Sequence, residues 1–339
     1  MKKKHLNLKN SLIFLHILFA IVGLYTYLAL YNFSENLLIQ KTLNKQLILA
    51  KTGSLAVENL IKNVQNELAS FVFSFAKTDE SDTIDKGATR TAFAYYMQRS
   101  QLPVSGIALF DENGTVAILE NRSHIRLGEG EDFSQAVFTK WSKDPQNKGK
   151  IFISTPLLGT VGASKGKIIL VIAQPLYFGS KFKGTLAIRL RVEDFTKAFV
   201  TSLLDGELSE DAFIVNTKGV VIAGKDTLLN KNLFNFARLE KWPNYQDYIN
   251  KLTLALKTQQ TQTIWTSKLP NEKPREMLVG VSKIDIPDTE ADLYMKVATP
   301  KDGVINSLTG LKKYGFLWLG FGVLTTILGS LIVIRLQAE

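Results

Sequence analysis

The sequence has 339 residues, a formal net charge of +10, a mean hydropathy of +0.04 and no cysteine. This length suffices for two modest domains plus membrane segments, and the lack of cysteine excludes disulfides and thiolate chemistry. The basic residues are scattered and form no phosphate-binding stripe, so the charge does not indicate a nucleic-acid-binding protein.

Two uncharged apolar segments lie near the ends of the chain, at residues 12–31 and 314–334. About 20 helical residues span a bilayer core, so both are predicted transmembrane helices. The first is too long for a signal-peptide core and no small-residue cleavage site follows it, so we interpret it as an uncleaved anchor. The four lysines of residues 1–11 place that segment in the cytoplasm, and residues 335–339 are the expected short cytoplasmic tail.

A long stalk helix is predicted over residues 32–82, because apolar residues follow a heptad there and Gly53 is the only glycine. Two interpretations of the heptad stripe remain open. It forms a parallel dimer seam between two copies of the chain, or it packs on the domain of its own chain. The stripe comprises Leu43, Leu47, Ala50, Val57, Ile61, Val64, Leu68, Phe71 and Phe75, with Ser54 as its polar member.

Beyond a second predicted helix at residues 83–102, the apolar period changes to that of strands. Residues 104–119 predict a hairpin that turns at Gly114, and residues 212–223 predict another that turns at Gly219. The turn glycines are 105 residues apart, which indicates a duplicated module. The other predicted strands are 151–156, 167–174, 184–191, 261–267, 276–283 and 293–299, and the other predicted helices are 192–204, 228–257 and 302–314.

Four stretches in this order carry a resemblance to a known family: 106–114, 130–156, 172–188 and 293–300. The sequence resembles the double Cache sensory domains of bacterial and archaeal receptors. That resemblance implies an α+β fold in which a long N-terminal helix carries two PAS-like modules with antiparallel sheets, flanked by two transmembrane helices. The membrane-distal module is then expected at 83–191 and the membrane-proximal module at 192–313.

The resemblance implies an extracytoplasmic sensor with a small-molecule pocket in the distal module. Amino-acid-binding members hold the ligand carboxylate with an Arg in the slot that contains Ala136 here, and their Asp for the ligand amine has no counterpart in 177–184. We therefore expect a small neutral or heterocyclic ligand rather than a standard amino acid. The expected lining residues are Phe110, Phe138, Trp141, Ser154, Gln174 and Tyr177.

The sequence offers no pattern for catalysis. Its three histidines, His5, His16 and His124, are far apart, and no calcium, phosphate or metal motif is complete. We expect no enzyme activity, no metal and no cofactor. The expected partners are a small molecule, the membrane, a second copy through the stalk helix, and a signalling protein that supplies an output domain. The alternative is a non-catalytic scaffold or accessory subunit of another membrane protein that binds no small molecule.

The lysine cluster and the two uncharged spans predict the topology in the plasma membrane. A reporter fused after Glu339 should be cytoplasmic, and a reporter inserted near Asn147 should be external. Enzymatic reporters that are active on only one side of the membrane measure both positions. External activity at both sites would contradict the two-pass topology.

Overall fold

A computed structural model describes residues 2–77, 84–160, 164–200, 211–224, 228–239, 245–258, 262–266, 275–287, 289 and 292–336. The chain divides into two compact units. One unit contains residues 1–43 and 300–339, and the other contains residues 44–299 with both β-sheets.

The first unit contains the apolar ends of the chain. It holds the beginning of α1 (Lys2–Lys77), together with α7 (Lys301–Asn306) and α8 (Thr309–Leu336). Among the described residues, two helices are long and apolar enough to span a membrane, within Phe14–Phe75 and Thr309–Ile332. The helix predicted at 302–314 is therefore divided between α7 and the first turns of α8.

Helices α1 and α8 approach each other closely where a tyrosine meets a glycine. A Cβ atom on Gly315 would collide with the ring of Tyr27, so only glycine fits at this contact. The Tyr27 hydroxyl donates a hydrogen bond of 3.4 Å to the carbonyl of Lys312, and the ammonium of Lys312 lies 5.4 Å from the centre of the Tyr31 ring.

In the second unit, the heptad stripe of α1 is buried within its own chain. Its side chains join one apolar core with residues from both sheets. For these side chains the structure supports packing on the domain of the same chain, and pairing of the stalk helix with a second copy stays a prediction. Large apolar side chains on the other faces of α1, such as Leu55, are exposed. Within this unit, the stripe residues with less than a tenth of their surface exposed are Ala50, Ser54, Val57, Ile61, Val64, Leu68 and Phe75.

The distal sheet is antiparallel, in the order β2-β1-β6-β5-β3, with β4 also paired to β5. Asp85 accepts hydrogen bonds from the amides of Gly87 and Ala88 and so caps the helix that precedes the sheet. The elements are α2 (Lys86–Arg99), β1 (Val104–Asp111), β2 (Val116–Glu120), α3 (Val137–Lys143), β3 (Phe152–Ile153), β4 (Leu157–Leu158), β5 (Ile168–Phe178) and β6 (Lys181–Arg191).

The proximal sheet is also antiparallel, in the order β8-β7-β11-β10-β9. Parts of the predicted segments 83–102, 192–204, 228–257 and 261–267 lie outside the described residues. The elements are α4 (Val192–Phe199), β7 (Asp211–Asn216), β8 (Val221–Ala223), α5 (Leu233–Leu239), α6 (Tyr245–Thr258), β9 (Gln262–Thr266), β10 (Arg275–Ile284) and β11 (Leu293–Pro300).

The two modules repeat the same hairpin in detail. Asp111 accepts hydrogen bonds from the backbone amides two and four residues later, and Asn216 makes the same pair. In each module the carbonyl of the turn glycine accepts a hydrogen bond from a residue that leads towards the next helix, Phe133 or Leu233. The strand orders also correspond. The duplication predicted from the turn spacing is therefore confirmed at the level of fold.

Polar bonds fix α1 to the proximal sheet. The hydroxyls of Ser54 and Ser282 lie 3.0 Å apart, and the Gln46 amide donates to the Thr299 hydroxyl at 2.9 Å. Backbones also meet, because a Cβ on Gly280 would collide with the carbonyl carbon of Gln46. These contacts hold the helix at one position along the sheet.

The outer face of the proximal sheet buries a lysine. Lys296 lies directly opposite Phe213 in the register of β11 and β7, and its Nζ is 4.4 Å from the centre of that ring. The ring of Tyr248 on α6 lies 6.0 Å from the same atom. Burial lowers the pKa of Lys296 from its ordinary 10.5 to about 8, against a smaller opposing effect of Asp211.

We expect Leu68→Ala to lower the melting temperature by roughly 5–15 °C. Leu68 is 0% exposed, so the substitution removes three carbons from the packed core. Leu55→Ala is the matched control on the same helix, since Leu55 is 57% exposed. Scanning fluorimetry of both variants decides the outcome. Equal shifts would contradict the packing of the stripe on its own chain.

Lys296 should make stability rise with pH. The folded state binds fewer protons than the unfolded chain between pH 8 and 10.5, so the free energy of unfolding should increase across that range by up to about 3 kcal/mol. Lys296→Met should abolish this increase and stabilise the protein near pH 7. Lys218→Met, at an exposed turn, is the control. Denaturant unfolding at pH 7.5 and 10 measures the difference, and an unchanged pH dependence in Lys296→Met would refute the assignment.

Candidate ligand-binding site

A cavity of about 70 Å³ lies on the outer face of the distal sheet, the face turned away from α1. Small and aliphatic side chains of four strands form its floor, and aromatic side chains and the segment 157–160 form its walls. Its lining consists of Ala108, Phe110, Val116, Leu119, Phe133, Phe138, Leu157, Leu158, Gly159, Thr160, Ile169, Val171, Ala187 and Arg189.

The segment before α3 positions the aromatic wall. It runs along β2, where the amide of Val116 donates to the carbonyl of Glu131 and the carbonyl of Val116 accepts from the amide of Gly130. Glu129 fastens this segment, because its carboxylate accepts two hydrogen bonds from Arg90 and one from the amide of Leu119. The Arg90 hydrogen bond is the main reason that the pKa of Glu129 lies below its ordinary value.

Three phenylalanines meet at the wall that this segment builds. The ring centre of Phe110 on β1 lies 5.0 Å from that of Phe138 on α3 and 5.6 Å from that of Phe133, both edge to face. This geometry is the one that aromatic pairs prefer. Rigid rings on two elements therefore give the cavity a fixed shape.

The cavity exists because the distal sheet has two alanines at positions where the proximal sheet has large side chains. Aligned on Asp111 and Asn216, the paired residues Ala108 and Ala187 of the distal sheet correspond to Phe213 and Lys296 of the proximal sheet. Phe213 and the Lys296 side chain fill that space beneath α6. The duplicated fold thus supplies the same face twice, and only the distal copy has small residues there.

Arg189 of β6 is the one charged residue among the described residues that line the cavity. Its side chain is 6% exposed. Its pairing partner on β1 is Gly106, and a Cβ there would lie 2.5 Å from the Arg189 Nη2 atom. The guanidinium therefore lies across Gly106 in space that any other residue would obstruct. Burial lowers the pKa of Arg189 to about 10, so the group stays cationic near neutral pH.

Of the predicted lining residues, Phe110 and Phe138 lie in the cavity wall. Trp141 and Tyr177 lie at the other end of α3. The Trp141 ring packs on Phe152 with centres 5.5 Å apart. The Tyr177 hydroxyl donates to the carbonyls of Ser142 and Lys143 at 3.3 and 3.4 Å, and burial raises its pKa. These two residues hold α3 on the sheet.

The other two predicted residues have structural positions. The Ser154 hydroxyl accepts a hydrogen bond from the amide of Val171, while the Ser154 amide donates to the carbonyl of Val171. Gln174 lies between Ile172 and Leu176 on β5, on the face packed towards α1, and its Oε1 has no hydrogen-bond partner among the described residues. Neither side chain belongs to the described cavity lining.

Sequence reasoning missed Arg189, which lies in the predicted strand 184–191. The alternation of apolar residues along β6 could have indicated which way Arg189 faces. Leu186, Ile188 and Leu190 face the shared core, so Ala187 and Arg189 face the opposite side. Two arginines earlier in the chain, Arg122 and Arg126, lie outside the described lining. Arg122 donates to the carbonyls of Ser100 and Leu102, and Arg126 is exposed.

Comparison with solved structures identifies the fold. The ligand-binding domain of the Pseudomonas fluorescens chemoreceptor CtaA, in complex with L-isoleucine, matches with a TM-score of 0.58 and 13% identity, covering 81% of this chain and 99% of that one. The sensory domain of the Campylobacter jejuni chemoreceptor Tlp3, with isoleucine bound, gives a TM-score of 0.55 at 17% identity and coverages of 81% and 98%. The domain of the Pseudomonas aeruginosa amino acid chemoreceptor PctC, in complex with GABA, gives 0.53 at 15% identity and coverages of 76% and 99%.

This chain has the double Cache sensory fold. At such low identities the likeness concerns the fold, and the resemblance stated from the sequence is confirmed at that level. No protein-family model matches the sequence, and comparison with curated proteins found no significant match.

Proposed function

We propose that this chain is a membrane-anchored sensor that binds a small molecule in the distal cavity and transmits binding across the plasma membrane. In this proposal the region between the two spans is extracytoplasmic and both termini are cytoplasmic. The single observation that supports ligand binding most strongly is the cavity itself. It is apolar, has one cation among its described lining residues, and lies where the distal sheet has Ala108 and Ala187 in place of Phe213 and Lys296.

The connection from the cavity to the proximal module supports transmission. β6 carries Ala187 and Arg189 on its cavity face and continues directly into α4. α4 in turn contacts β8 of the proximal sheet, where the Thr196 hydroxyl accepts a hydrogen bond from the amide of Gly224. A ligand that shifts β6 would therefore also shift α4 and the hairpin that it touches. Displacements of about 1–2 Å are typical of such switches.

A non-catalytic role is part of the proposal. Among the described residues, no group of three or more His, Cys, Asp and Glu side chains could hold a metal ion. The structural neighbours are ligand-binding domains of chemoreceptors. We propose a signalling protein as the partner that receives the output.

A cavity-filling variant tests the proposal. Ala187→Leu adds three carbons to the cavity of about 70 Å³, so it should abolish ligand binding, lowering affinity by at least tenfold. Ala117→Leu is the control, because Ala117 lies on the neighbouring strand β2 with its side chain packed against the shared core. A metabolite library is screened by thermal shift on the full-length chain in lipid nanodiscs, and hits are confirmed by calorimetry.

The expected result is at least one ligand whose binding survives Ala117→Leu and is lost in Ala187→Leu. If no compound in a broad library stabilises the wild-type chain, the sensor proposal fails. The scaffold alternative would then be favoured, since a scaffold needs no small molecule.

A further inference from the structure

We infer that the distal cavity takes a small monocarboxylate with an apolar body and no ammonium group, anchored through its carboxylate by Arg189. This inference rests on the proposed function and names the chemical class of its ligand. It departs from the sequence-based expectation of a neutral ligand, because that expectation did not place Arg189 in the cavity.

The preference for a carboxylate follows from the positive charge of Arg189 and from the planar shape of its guanidinium. Arg189 contributes the one formal charge among the described lining residues, so the cavity favours an anion. A guanidinium presents its donors in a planar fork that matches the two oxygens of a carboxylate. Gly106, the partner of Arg189 across β1 and β6, leaves room for the guanidinium, because a Cβ there would lie 2.5 Å from Nη2.

The apolar body follows from the rest of the lining. Apart from Arg189, the only polar side chain among the described lining residues is that of Thr160. The strands contribute Ile169 and Val171, and the wall contributes phenylalanine rings. A space of about 70 Å³ holds roughly five to seven non-hydrogen atoms, since a water molecule needs about 10–15 Å³ of the same measure.

An ammonium group is excluded because the described lining offers it no carboxylate partner. No acidic side chain is among the described lining residues. Two carboxylates near the cavity have other partners: Glu129 accepts from Arg90, and Glu120 of β2 lies 2.8 Å from His124 Nδ1. An ammonium group entering the cavity would lose its hydration and find no carboxylate, which is unfavourable.

Three isosteric probes separate these requirements: 2-methylpropanoate, the uncharged 2-methylpropanamide, and L-alanine, in which an ammonium group replaces one methyl group of the acid. Each is titrated by calorimetry into the full-length chain in nanodiscs at pH 7. We expect the acid to bind at least tenfold more tightly than the amide and than L-alanine.

Variants test the anchor. Arg189→Met should weaken binding of the acid at least tenfold and leave the amide unchanged, while Arg189→Lys should give an intermediate affinity. Arg191→Met is the matched control on the same strand, because Arg191 is exposed and pairs with Asp194, and it should bind like the wild type. If Arg189→Met fails to fold, the wild-type comparison of acid with amide still decides the carboxylate requirement.

The failures are distinguishable. Equal affinity for acid and amide overturns the Arg189 anchor, and L-alanine binding as tightly as the acid overturns the exclusion of ammonium. If none of the three binds, but library compounds bind and are lost in Ala187→Leu, the ligand class is wrong and the proposed function stands. If the acid binds and Ala187→Leu has no effect on it, the site itself is wrong.

Discussion

The buried stripe of α1 is the constraint on which the rest of the second unit, residues 44–299, depends. One helix face closes the cores of two sheets at once, so neither sheet can bury its inner face without the helix. The helix is also fixed along its length by the Ser54–Ser282 contact and by Gly280. Because the inner faces of both sheets pack against α1, only their outer faces remain for other functions.

The outer faces of the two sheets differ in their side chains and in the helix that covers them. The proximal copy fills its outer face with Phe213, Lys296 and the covering helix α6. The distal copy has Ala108 and Ala187 at the equivalent positions and is covered by the short helix α3. The strand that links the copies carries cavity residues on one side and core residues on the other. Alternate side chains of this one strand therefore pack in the core and line the cavity.

Much of the fold could be predicted from the sequence, because its strongest signals are local. Both hairpins show alternating apolar residues around a turn with Asp111 or Asn216, and both are present. α3 was missed because seven residues are too few for a helical period to emerge. Within the site, Phe110 and Phe138 followed from the resemblance. Gln174 was expected in the pocket but lies outside the described lining, and Arg189 was not expected there, since which face a strand residue occupies depends on its neighbours across the sheet.

The contact between Gly106 and Arg189 links two positions on neighbouring strands. A larger residue at position 106 would displace the guanidinium, whereas a smaller residue at position 189 would leave a gap above the glycine. Selection should therefore act on the two positions as a unit. Among relatives of this chain, a change at one position should accompany a change at the other, and a lineage that lost the arginine would be free to lose the glycine as well.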